Sequence, residues 1–313
     1  MDGIRMSPAD FLTDYTLRSI VLGSALLGLV AGTLGSFSVL LRQSLIGDTV
    51  AHAALPGICA AFLLTGTRDT LGLLVGGGLS GLLASLLALA ILRFSPLKED
   101  VALGVTFSTF FGIGIALLTA IGQSGNAAQA GLEGFLFGQA AGLTAGDVTR
   151  FAALGALALG TVAALHKELQ LSLFDPAYAA VQGWPVAGLT ALSTALTVLA
   201  VMLGLQTVGV VLMAAMLIAP AVAARQWTRG LGGMLRLAGV FGALSGGLGA
   251  ALSLAFSPED GTGLPTGAVT VLTATALAVL SLLLAPGRGL VAGWGRQRRA
   301  RARLLGDLAG RRR

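Results

Sequence analysis

Arg42-Gln-Ser-Leu-Ile-Gly-Asp48-Thr-Val-Ala-His52-Ala-Ala-Leu-Pro56 is the stretch on which the reading of this chain turns. Asp48 and His52 stand four residues apart in a run that otherwise has the character of a buried helix. Residues at i and i+4 share a helical face, so the acid and the imidazole point the same way. Such groups are costly to place among apolar neighbours, and inside a membrane they mark a functional site by default.

Composition supplies the membrane. The chain has 313 residues, 55% hydrophobic and only 11% charged, against about 25% charged in a soluble domain. Long apolar runs recur along its length, which predicts an all-α, polytopic integral membrane protein. The alternating apolar/polar strands of a membrane β-barrel are absent. The 46 glycines suit close helix approach in lipid, where small residues at interfaces replace the hydrophobic drive. The net charge of +6 does not point to nucleic acid, because nine of the 20 basic residues fall between Arg288 and Arg313, after the last apolar run. That tail reads as a cytoplasmic, solvated segment. A single cysteine, Cys59, excludes an intrachain disulfide. Asp2, Asp10 and Asp14 precede the first apolar run, unlike the basic start of a cleaved signal peptide, so the first span is expected to be retained.

A helix needs about 20 apolar residues to cross a hydrocarbon core of ~30 Å. This rule predicts nine spans, within a range of eight to ten: Ser19–Leu41, Gly47–Thr65, Leu71–Phe94, Val101–Gly122, Val148–Leu165, Val186–Leu205, Val208–Arg225, Leu237–Phe256 and Gly267–Leu284. The links Leu41/Gly47 and Leu205/Val208 are short enough for either pair to be one broken helix. With the C-terminal tail inside, Arg42, Arg93, Lys98, Lys167, Arg225, Arg229 and Arg236 fall inside too, and only Arg5, Arg18, Arg68 and Arg150 fall outside. The positive-inside rule favours that orientation, with the N-terminus outside and the C-terminus cytoplasmic. The expected organisation is an extracytoplasmic segment 1–18, a membrane-spanning domain 19–286 and a basic cytoplasmic tail 287–313.

Two connecting segments carry more than a turn. Ala130–Asp147 is apolar, punctuated by glycine and too short to span, which suits interfacial or re-entrant helices. In Lys167–Pro185, Asp175 is a natural N-cap, Pro176 a natural first helical residue and Gly183 a natural terminator. The prediction there is a short amphipathic cytoplasmic helix, the shape wanted where a membrane subunit docks on a soluble partner.

Counting ~1.5 Å of rise per residue from Arg42 puts His52 about 15 Å deep, near the midplane. Pro56 lacks the N–H that would bond the His52 carbonyl and adds a freed backbone oxygen. Carboxylate and imidazole together suit Mn²⁺, Fe²⁺ or Zn²⁺, oxygen favouring manganese and nitrogen or sulfur favouring zinc. Cys59 is a conceivable soft ligand on the same face, although a small buried hydrophobe is the more ordinary role. Met213, Met216 and Pro220, which frees the Met216 carbonyl, are further candidates for lining a pathway. The competing reading makes Gly47-Asp48-Thr49 a helix cap, with His52 merely hydrogen-bonded to a neighbouring helix. Two ligands per chain do not complete a site; a second copy about a central axis would.

These segments carry a resemblance. Gly35 through Gly57, including Arg42, Gly47, Asp48, His52 and Pro56, is similar to the signature of the manganese/zinc/iron permease family, the membrane subunits of ATP-binding-cassette importers. Lys98-Glu99-Asp100 through Gly104, Phe135-Leu-Phe-Gly138, Phe174-Asp175-Pro176 through Gly183, Val208 through Pro220, and Leu264-Pro-Thr-Gly267 match in the same order. The resemblance covers roughly Leu17 to Gly289 and leaves out the arginine-rich tail. It implies a permease paired with itself or a paralogue, two cytoplasmic ATP-binding subunits, and an extracytoplasmic protein that delivers the metal. It also implies metal-pathway roles for Asp48 and His52, and a coupling helix at Asp175–Gly183 with Phe174, Tyr178 and Gln182 on its docking surface. The segments at Leu205 and Pro265 resemble the manganese/iron branch more than the zinc branch. No Gly-x-x-x-x-Gly-Lys-Ser/Thr loop is present, so ATP hydrolysis is expected in the partner, and this chain is expected to be a transport subunit and not an enzyme. The rivals are a secondary ion-coupled transporter and a permease for metal chelates such as cobalamin or siderophores. An intramembrane metalloprotease would need His-Glu-x-x-His or an equivalent set, and only one histidine is placed well inside a span.

Overall fold

A computed structural model describes residues 15–123 apart from 42, 44, 67 and 68, then 138, 143–256, 264–286, 289, 291 and 294. The segment Ala130–Asp147 therefore lies largely outside the described residues, as do most of the two termini. Among the described residues the chain forms eleven helices: α1 (Tyr15–Leu40), α2 (Ile46–Thr65), α3 (Thr70–Phe94), α4 (Glu99–Gln123), α5 (Ala145–Ala164), α6 (His166–Phe174), α7 (Pro176–Val181), α8 (Val186–Leu205), α9 (Val210–Trp227), α10 (Leu231–Ala255) and α11 (Thr266–Leu284). Eight are long and apolar enough to cross a membrane. The ninth expected span, α9, has 18 residues and packs among α1, α2, α8, α10 and α11. An inner helix of this kind meets protein rather than lipid, so its shorter length costs little.

The core mixes large apolar side chains with alanine, and glycines set how closely its helices approach. Leu27, Val30, Ala31 and Leu34 of α1 are buried, and α1 lies along α10 more extensively than any other pair of helices meets. The reason is local: a β-carbon on Gly28 would overlap the Gly242 carbonyl, and one on Gly242 would overlap the Gly28 carbonyl. Backbone meets backbone there, which is how helices gain dispersion contact in lipid. By contrast α3, α4 and α5 are largely exposed. Leu71, Val75, Leu79, Leu83 and Leu86 form an open apolar face of α3, which is a lipid-facing surface in a membrane and would be a liability in water.

Hydroxyls in the spans bond mostly to their own helices. Ser36 donates to Gly32 O at 3.1 Å, and Thr106 to Ala102 O at 2.9 Å. Without water, every buried polar group needs such a partner. Others tie helices together: Trp227 Nε1 of α9 donates to Ser281 Oγ of α11 at 2.7 Å, and that hydroxyl donates to Ala223 O at 2.7 Å.

Both doubtful links separate distinct helices. α1 ends at Leu40 and α2 starts at Ile46, while Gly209, at φ +88°, turns the chain between α8 and α9. Four helices begin two or more residues earlier than hydropathy predicts, α1 and α5 among them. α10 starts at Leu231 and carries Arg236, and α4 starts at Glu99 with Glu99 and Asp100 in its first turn. Charge ends an apolar run, but it does not end a helix, and acids in a first turn suit the helix dipole.

Candidate metal site

Asp48 lies in the first turn of α2, whose N-cap, Leu45, makes no side-chain capping bond. The cap reading of Asp48 therefore fails. Its carboxylate faces His52 instead, with 3.5 Å between Oδ1 and Nε2. The imidazole is held from the side by α4: the rings of Phe107 and Phe111 each meet it edge to face at 4.8 Å, and stack on one another at 5.6 Å. His52 Nδ1 is buried and has no hydrogen-bond partner among the described residues. The alternative in which a neighbouring helix hydrogen-bonds this histidine fails with it. The side chain of His52 is 14% exposed and that of Asp48 40%, so the pair opens outward through the carboxylate.

The helical rise expected from Arg42 starts later, because α2 begins at Ile46. Six residues of helix separate Ile46 from His52, about 9 Å, so the pair lies about a third of the way along α2.

Pro56 sits inside α2 without breaking it. Three residues before it, the Ala53 carbonyl accepts from Ser80 of α3 at 2.6 Å, a cross-helix bond next to the His52 carbonyl that proline leaves without its helical donor. The other sequence candidates lie elsewhere. Cys59 is buried, and its Sγ approaches Gly114 O of α4 at 3.9 Å; it lies two turns beyond His52. Met213 and Met216 are fully buried, and Met213 packs against Gly204 of α8. Pro220 is set against Gly32 of α1. The structure thus brings together Asp48 and His52 and leaves Cys59, the methionines and Pro220 in packing positions. Among the described residues no three His, Cys, Asp or Glu side chains are grouped as a metal site would need.

Phe107 and Phe111 are the residues that sequence reasoning missed. Their i, i+4 spacing was visible, but phenylalanine in an apolar helix carries no mark of what it faces.

The second candidate element is the elbow after α5. The sequence predicted one short helix, and the chain forms two, α6 and α7, with α6 running on from α5 through Leu165. Asp175 caps α7 by accepting from Tyr178 N at 2.9 Å, and Pro176 occupies the first helical turn. Gly183 ends the element at φ +86°, a conformation few residues other than glycine adopt. Gln182 Nε2 donates to the Tyr178 hydroxyl at 2.9 Å. Phe174, Tyr178 and Trp184 are exposed, and Val181 is 85% exposed.

An all-helical polytopic protein with an acid–imidazole pair in one helix and an uncovered apolar elbow between two others has the build of a membrane transport subunit. The chain belongs to the ABC 3 transport family, whose model matches residues 13–285. It is 48% identical over 273 residues to the manganese transport system membrane protein MntC of Bacillus subtilis, covering 87% of this chain and 62% of that protein. It is 46% identical over 287 residues to the zinc transport system membrane protein TroC of Treponema pallidum, covering 92% and 95%. A solved structure, PsaBC from Streptococcus pneumoniae in complex with Fab, matches with a TM-score of 0.77 and 30% identity over 90% of this chain and 95% of that one. The chain is accordingly a multi-pass permease subunit of the bacterial plasma membrane, and not an enzyme.

Proposed function

We propose that this chain is the membrane half of an ATP-driven importer that passes a divalent transition metal into the cytoplasm by alternating access. The observation that carries the reading is the Asp48–His52 pair, at 3.5 Å and clamped against Phe107 and Phe111. Two ligand bonds of about 2.1 Å spanning that separation enclose roughly 110°, an angle a transition-metal ion accepts. One carboxylate and one imidazole per chain leave an ion under-coordinated, so two copies facing one another complete the site. Relatives named for manganese and for zinc match this chain almost equally well. Manganese is favoured because the exposed donor is a hard carboxylate oxygen, with iron or zinc as alternatives.

In this reading the C-terminus is cytoplasmic and the ion reaches the pair from an extracytoplasmic binding protein. The closing of two cytoplasmic ATP-binding subunits is felt through α7. Phe174, Tyr178 and Val181 form the apolar part of that contact, and Asp175 and Gly183 fix its shape. The basic tail beyond residue 286 is a separate cytoplasmic segment.

Metal uptake in cells expressing the chain with its ATPase tests this. Asp48→Ala and His52→Ala should each lower uptake of ⁵⁴Mn by at least about tenfold, the smallest loss expected when even an outer partner of a metal ligand is removed. The ATPase should still copurify. Normal uptake in both variants would sink the assignment, and uptake that persists without any ATPase would favour a secondary transporter.

A further inference from the structure

α1, α5 and α10 do not close on one another completely. Between them runs an open groove of about 780 Å³, within the range of roughly 300–1,000 Å³ usual for small-molecule sites. Its walls are apolar, among them Leu29, Ala163 and Val240; the one hydroxyl lining it, Thr33, donates to Leu29 O of its own helix at 2.8 Å. Two basic side chains line it as well, His166 and Arg236, and no carboxylate does. Both gather at Gly232. Arg236 Nε folds back to donate to Gly232 O at 3.1 Å, and the His166 ring lies beside the place a β-carbon on Gly232 would take. Arg236 makes no ion pair among the described residues, which leaves the rest of its guanidinium fork unmatched. From Gly232 to Val240 the groove follows about 12 Å of helix, close to the ~15 Å depth of one leaflet's hydrocarbon.

We propose that this groove is a site for one anionic phospholipid, an acyl chain lying along α10 and the phosphate held by Arg236 and His166. Guanidinium matches phosphate in shape and charge, and an apolar furrow with a basic mouth at the membrane surface selects an anionic headgroup over a zwitterionic one. The site lies on α1, α5, the start of α6 and α10, whereas Asp48 and His52 lie on α2 facing α4, so the proposal stands apart from the metal reading.

The test uses the full chain in nanodiscs of phosphatidylcholine doped with phosphatidylglycerol, with native mass spectrometry counting retained lipid. One phosphatidylglycerol per chain is expected to persist in preference to phosphatidylcholine. Arg236→Gln should lower that retention about fivefold, the worth of one basic residue facing anionic lipid. Ala163→Trp, at an exposed position lining the groove, should abolish it by filling the furrow. Arg93→Gln, whose guanidinium lies over Phe94 away from the groove, should change nothing. Equal retention of both lipids, or unchanged retention in either groove variant, overturns the proposal. So does efficient cross-linking of two chains through Val240→Cys with no lipid retained, which would make the occupant a second copy.

Discussion

His52 shows how a single polar side chain is given a direction in an apolar helix. Its Nε2 faces Asp48, its Nδ1 bonds to nothing described, and two phenylalanine edges fix the ring plane. Aromatic contacts of this geometry are worth about 0.5–1.5 kcal/mol each. Phe107→Ala or Phe111→Ala should therefore raise the metal concentration for half-maximal uptake by about two- to tenfold, without lowering the amount of protein in the membrane. Asp48→Asn should lose uptake as fully as Asp48→Ala, because the amide keeps the shape and removes the charge; uptake near normal would show that the carboxylate acts only by hydrogen bonding. Asp48 and His52 were legible in the sequence because ionisable groups are conspicuous among leucines and alanines. Their separation and the aromatic clamp were not, since both depend on how α2 sits against α4.

At the scale of elements, the α6–α7 elbow is defined by local chemistry. The Asp175 cap contributes about 1 kcal/mol, and a β-carbon in left-handed backbone costs about 1–2 kcal/mol. Asp175→Ala and Gly183→Val should each loosen α7, lowering both ATPase copurification and uptake while leaving metal binding to the purified permease unchanged. Val181→Asp should do the same more severely, because it puts a charge in the middle of the apolar surface. The cap, the proline and the terminating glycine could all be read from sequence. The second helix, α6, could not, because His166-Lys-Glu follows an apolar run and polarity was taken for the end of the helix. Its backbone hydrogen bonding continues regardless.

Across the whole molecule, stability rests on helices meeting at their backbones. Gly28 and Gly242 allow α1 and α10 to touch, and no side chain fits between them. Gly28→Leu should separate the pair at a cost of about 1–3 kcal/mol or more, seen as a lower unfolding temperature in detergent and a smaller yield of folded protein. The same substitution at Gly104, whose β position meets nothing within 4 Å, should be nearly silent. Orientation belongs to this scale too. Single cysteines replacing Arg229 and Arg150 should label from opposite sides of the membrane, and labelling from the same side would refute the nine-span topology.

What the amino-acid sequence determined alone was the solvent and the costly exceptions to it. Apolar runs of span length dictate helices in lipid, because no other open backbone satisfies its hydrogen bonds there. An acid and an imidazole inside such a run stand out for the same reason. Tertiary structure decided what those groups face. It set the 3.5 Å pair against two phenylalanines in the first third of α2, and sent Cys59, Met213, Met216 and Pro220 into packing. In a chain this apolar, most helix faces look alike until glycine-to-glycine contacts choose which of them meet.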